Sequence, residues 1–317
     1  MDGLNLLVMN DRQATITGIR PFCVPITEPF AQACVETLRT FRELADKALT
    51  IPDGGLNRDT VFYREADALL GLPEGEQKQA RLSLHQRALD GGHLIWVHAV
   101  DHIRALEHDI LMQPPPVWSP LTLARVTLEG CAFTGYLYDP AIPLGQRLAR
   151  VAGMAVAEAR NEATAAVGYG PEEQAGALAK REDAEKMARA AGAEERQDRR
   201  GRVMGYSVDG EYAPMDHKIG AQIKAFLPAW GAGVYPLLSG AAHGRPWMIV
   251  RGRTSGDWAG EAATVLTAVI AVMGSLEAGL ASWAAYLGAD VTAALGTMDE
   301  VRMDFLNRSF MLAHGEP

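Results

Sequence analysis

The chain has 317 residues, enough for two domains or one large helical one. Hydrophobic residues make up 48% and charged residues 22%, which excludes wholesale disorder. The net charge of −9 argues against a broadly basic nucleic-acid surface, although a local basic patch is compatible with it. Ala occurs 50 times, and Ala is the best helix former, so the composition leans towards helix before any pattern is read.

In chain order, residues 1–26 read as irregular, with a short edge strand over Ala14–Ile19. Thr27-Glu28-Pro29 is a helix start, with a Thr cap and an acid in the first turn, and the helix runs to about Leu49. Residues 56–80 are polar with short helical pieces. A long helix is expected from Gln79 to Leu111, with a kink at Gly91-Gly92 and a stop at Pro114-Pro115-Pro116. Two more follow, Ser119–Leu137 and Leu144–Val167. Of the 32 residues in 171–202, 8 are acidic and 8 basic, and Arg181–Glu185, Glu182–Lys186 and Glu185–Arg189 are i,i+4 pairs, so a solvated helix is expected there within a charged, mobile connection that runs on to about 212. Its arginines offer at most a small phosphate-binding patch.

Val208-Asp209-Gly210 is a turn signal. Asp216 caps a short helix with Ile219, Ile223 and Leu227; another helix spans Pro228 to His243. Trp247–Val250 reads as extended or as a tight connection, and two last helices cover roughly Asp257–Leu287 and Ala289–Ala313. The expected fold is all-α: a bundle of eight or nine helices with little or no β. An N-terminal extension with one helix, residues 1–78, precedes the bundle of 79–317.

Three cysteines with no C-x-x-C argue against a disulfide framework and against thiolate metal sites, and fit a reducing cytoplasm. Between Glu261 and Glu277 lie 15 uncharged residues, which falls short of a membrane span and suits a buried core helix. No phosphate-binding Gly motif follows a strand. No cofactor and no metal is called for.

Three constellations could carry chemistry. His98 and His102 share a helix face, but the segment reads H-A-V-D-H, without the glutamate of a zinc protease. Arg125 and Glu129 are also four residues apart, in an otherwise apolar stretch, so something polar in the core must answer them. Ser239 and His243 share a third face in L-S-G-A-A-H-G, with Gly244 poised to end the helix. Arg125, Glu129, Ser239 and His243 are expected to meet in space, either as a clamp or as catalytic residues.

The R-x-x-x-E helix, the L-S-G-x-x-H-G helix and the exit Tyr136-Leu137-Tyr138-Asp139-Pro140 resemble a group of uncharacterised helical proteins from actinobacteria. The same skeleton resembles HEPN-type bundles over roughly residues 80–285. The resemblance implies a cytoplasmic interaction or regulatory protein, in a defence or toxin–antitoxin setting. A metal-independent RNase using Arg125, Glu129 and His243 is the alternative, and a small-ligand binder beside His98, His102 and the Trp residues is a third. Arg87…His93 and Arg308…His314 have the Arg…His spacing of HEPN nucleases, as often as the Arg and His content alone would give. The expected partner is a second copy or another protein; RNA is disfavoured by the net charge, and no membrane is expected.

Overall fold

The computed structural model describes residues 25–48, 58–215, 218–227, 231–249, 253–254, 257–258 and 261–314. The expected strand at Ala14–Ile19 and the Asp216 cap lie outside them. Helix α1 is Glu28–Ala48, α2 Val61–Leu70, α3 Glu76–Ile110, α4 Ser119–Leu137, α5 Leu144–Ala166 and α6 Pro171–Ala190. Strands β1 (Glu194–Gln197), β2 (Val203–Val208) and β3 (Glu211–Pro214) follow. Then come α7 (Ile219–Phe226), α8 (Gly231–Ala242), α9 (Pro246–Ile249), β4 (Arg253–Thr254), β5 (Asp257–Trp258), α10 (Ala262–Leu287) and α11 (Thr292–His314).

The fold is mainly helical, as the alanine content dictates, but the described residues hold eleven helices rather than eight or nine. Helix α2 is one of the short helical pieces expected over 56–80 and α6 the expected charged helix, while the short α9 stands where an extended segment or a tight connection was expected. The expectation of little or no β also needs correction. β1, β2 and β3 form an antiparallel sheet, and β4 pairs with β5 where a helix was expected to begin.

The charged run thus holds its expected helix, α6, but the residues after it form sheet rather than a solvated connection. Its outer strand, Glu194–Gln197, is exposed throughout, which is why its composition resembles a linker. Tyr206, Val208 and Ala213 on β2 and β3 are buried against α5. The turn signal marks the hairpin: Asp209 and Gly210 both have positive φ, 53° and 84°, as a two-residue turn between right-twisted strands requires. Asp209 then accepts two hydrogen bonds from the Arg81 guanidinium, at 2.9 and 2.7 Å, which pins the hairpin to α3.

Two apolar cores share three long helices. The first gathers α1, the C-terminal half of α3, α4, α7, α8, α10 and α11, around Phe41, Ile103, Leu128, Leu276 and Phe305. Helix α1, expected within an N-terminal extension, lies inside this core. The second gathers α2, the N-terminal half of α3, the C-terminal ends of α4 and α10, α5, α6 and the sheet, around Leu84, Tyr138, Leu148 and Tyr286. Burial of this much apolar side chain is the main force holding the bundle. Gly91 and Gly92 lie within one continuous helix. The function of Gly92 is close approach, since a Cβ there would stand 2.2 Å from the Tyr138 hydroxyl.

Helix α10 has 26 residues and a single charge, Glu277. By length and composition it could cross a membrane. Here Val265, Val269, Val272, Leu276 and Leu280 are buried within the first core, so it is a core helix.

Candidate functional site

Helix α4 presents Arg125 and Glu129 one turn apart, and α8 ends against them. The Arg125 Nε donates to Glu129 Oε1 at 2.7 Å. Arg125 Nη1 lies 2.9 Å from His243 Nε2. A guanidinium has only donors, so Nε2 is the acceptor in this contact. The Tyr235 hydroxyl, two turns back from His243, donates to Glu129 Oε1 at 3.0 Å. The Tyr235 ring lies 5.7 Å from the guanidinium carbon.

Burial works against the charge on Arg125, but the hydrogen bond and charge of Glu129 overcome it and raise its pKa above the usual range. Burial, and then the Glu129 charge, push the Tyr235 hydroxyl up, so it stays protonated and donates. Three of the four expected residues meet. The fourth group is Tyr235, not Ser239: none of the described hydrogen bonds joins the Ser239 side chain to the others. Tyr235, Ser239 and His243 stand four residues apart along one face of α8, and the two long side chains reach the pair on α4 where the short serine does not. Arg125 and Glu129 are partly exposed and His243 is exposed.

His98 and His102 lie with ring centroids 4.3 Å apart. His102 Nδ1 is 2.9 Å from the His98 carbonyl, an interaction it makes as a donor. Among the described residues no group of three or more His, Cys, Asp or Glu has the arrangement of a metal site. An open groove of about 540 Å³ runs beside this face, lined by Asp46, Trp96, Val97, His98, Asp101 and Arg104 among others. His102 is not part of its lining.

The densest polar network is one that sequence reasoning missed. Arg147 on α5 is fully buried. Its Nε lies 3.0 Å from both carboxylate oxygens of Glu65 on α2. Its other nitrogens donate to the carbonyls of Leu137 and Asp139, the latter at 2.9 Å. Tyr286 on α10 donates to Glu65 Oε2 at 2.9 Å and lies 3.1 Å from His85 Nε2 on α3. Tyr138 stacks on Tyr286 at 5.1 Å, and Phe62 stacks on His85 at the same separation. Burial alone would raise the Glu65 carboxyl; the hydrogen bond from His85, the Arg147 charge and the bonds from Arg147 and Tyr286 hold it below the ordinary range.

This network joins four helices and the exit of α4. It explains the Y-L-Y-D-P segment: two of its carbonyls receive Arg147, and Tyr138 forms the stacking floor. Its signal was present in the sequence, since Arg147 stands between Leu144 and Val151 on an apolar helix face, the same argument that singled out Arg125. Its partners are distant in sequence and could not be named. A network this enclosed, with nearly every polar group bonded, offers no room for a substrate.

Comparison with protein-family models, curated proteins and solved structures gives no match.

Proposed function

We propose that this chain is a HEPN-like helical-bundle protein that works by binding, as an interaction or regulatory protein, and that the Arg125 cluster is a clamp between α4 and α8. The supporting observation is the state of His243. Its Nε2 lone pair, the one a general base would use, is taken up by Arg125. Glu129 in turn is committed to Arg125 and Tyr235. Groups arranged this way hold two helices together. The HEPN-type resemblance carries the biological setting, defence or toxin–antitoxin regulation, by analogy of architecture.

The RNase alternative is decided by one experiment. The purified chain is incubated with single-stranded RNA in chelator, alongside His243→Ala and Glu129→Ala, and each protein is also melted. The clamp reading expects no cleavage by any of them, and a lower Tm for Glu129→Ala. Cleavage by the wild type that His243→Ala abolishes at unchanged Tm would establish the nuclease instead.

A further inference from the structure

A cleft of about 700 Å³ lies between α5, α6 and the turn that joins β1 to β2. Arg160 and Thr164 of α5 line it, with Val167 at that helix's C-terminus. Helix α6 adds Gln174, Leu178 and Arg181. Both sets step by four and then three, so each is one face of its helix. The hairpin turn contributes Arg202 and Val203. Three guanidiniums therefore line one cleft, and no carboxylate does.

Two carboxylates outside the lining hold these arginines in place. Glu185 Oε1 accepts from Arg160 Nη2 and from Arg181 Nε, each at 3.1 Å. Asp198 accepts from Arg202 Nε at 2.8 Å and from the amides of Arg200 and Arg202, which orders the turn. Arg202 Nη2 lies 2.7 Å from the same carboxylate. Glu162, the neighbouring acid on α5, is taken by Lys180. Three guanidiniums against Glu185 and Asp198 leave the cleft positive, in a chain whose net charge is −9. Donors are left as well. In the described hydrogen bonds Arg181 uses only its Nε, and Arg202 keeps Nη1. The other end of the cleft is apolar. Val167 stands seven residues, about 10 Å of helix, from Arg160, and both Val167 and Leu178 are exposed.

We propose that this cleft binds a phosphorylated segment of a protein partner, with the phosphate on Arg160, Arg181 and Arg202 and an aliphatic side chain of the same segment on Val167 and Leu178. A phosphate monoester brings a charge of about −2 and three acceptor oxygens. The planar fork of a guanidinium meets two such oxygens at once. An aspartate or glutamate brings one charge and is the weaker occupant. A small molecule needs walls that bury most of its surface, whereas this cleft is open and suits a side chain whose remaining mass lies outside. An extended segment covers about 10 Å in three residues, so the aliphatic side chain belongs within about three positions of the phosphate. The proposal gives a partner to the interaction role argued above but uses none of the residues of the Arg125 cluster, so cleavage of RNA at that cluster would leave it standing.

The test is retention of the full chain on an array of peptides that carry phosphoserine, phosphothreonine or phosphotyrosine within randomised flanks, beside the same array without phosphate. Retention should require the phosphate and should favour Val, Leu or Ile within about three positions of it. The preferred peptide is then titrated by fluorescence anisotropy against wild type, Arg181→Gln, Arg202→Gln and Leu178→Ser, each melted to show that it is folded. Either arginine variant should weaken binding by at least about tenfold, the scale of one charge-assisted hydrogen bond. Leu178→Ser should lose the aliphatic preference and keep the dependence on phosphate, a split that loss of structure would not give. Equal retention on the two arrays, retention on neither, arginine variants that bind as wild type does, or tighter binding of a labelled oligouridine than of the peptide would each overturn the proposal.

Discussion

Arg147 and Glu65, 82 positions apart in sequence, form a buried ion pair in which one guanidinium Nε lies 3.0 Å from both carboxylate oxygens. Removing either partner leaves the other charge desolvated and alone. Glu65→Ala is therefore expected to cost about 3–5 kcal/mol. Urea unfolding of the variant against wild type measures it; a loss below about 1 kcal/mol, the scale of an exposed pair, would contradict the burial described here.

The same carboxyl makes stability depend on acid. Its folded pKa lies below its unfolded one, near the ordinary value of about 4.3, so its contribution is complete above that value and is lost as pH falls through the folded pKa. Unfolding free energy measured down the acid limb should fall more steeply for wild type than for Glu65→Gln. Parallel curves would show that Glu65 is not held ionised by its neighbours.

Glu129 is partly exposed, so its loss should matter less. Glu129→Ala removes the acceptor of both Arg125 and Tyr235 and should cost about 1–2 kcal/mol. Tyr235→Phe should cost less, because Arg125 still holds the carboxylate. Equal losses in the two variants would mean that the bond from Tyr235 accounts for the whole contribution of Glu129.

Two glycines should respond in opposite directions to alanine. At Gly176, inside α6, a Cβ meets nothing within 4 Å, so alanine should stabilise by about 0.5–1 kcal/mol through backbone entropy. At Gly205 on β2 a Cβ would stand 2.2 Å from the Ala213 carbonyl oxygen, so alanine should prise β2 from β3 and destabilise by about 2 kcal/mol. Thermal melts of both variants check the signs.

Cys34 and Cys131 are buried, and burial pushes both thiols up to about 12. Neither should react with a thiol reagent in the native protein near neutral pH, and both should react on unfolding. Mapping the labelled positions by peptide mass distinguishes them from Cys23, which lies outside the described residues.

What the sequence determined by itself was local. Helix content follows from alanine, and the Thr27 cap, which accepts from the Phe30 amide at 3.4 Å, follows from side-chain chemistry within one turn. The Arg125–Glu129 pair follows from helical pitch alone, and the Asp209-Gly210 hairpin from the rarity of positive φ. Tertiary structure decided which faces meet. Glu65, His85, Arg147 and Tyr286 come from four helices, up to 221 positions apart, and no periodicity links them. The charged run around Glu194 could not announce a strand, because an exposed edge strand buries no side chain and leaves no alternation to read. Tyr235 and Ser239 share one face of α8 by helical pitch, and packing against α4 decided how far a side chain must reach, a distance the tyrosine spans to Glu129.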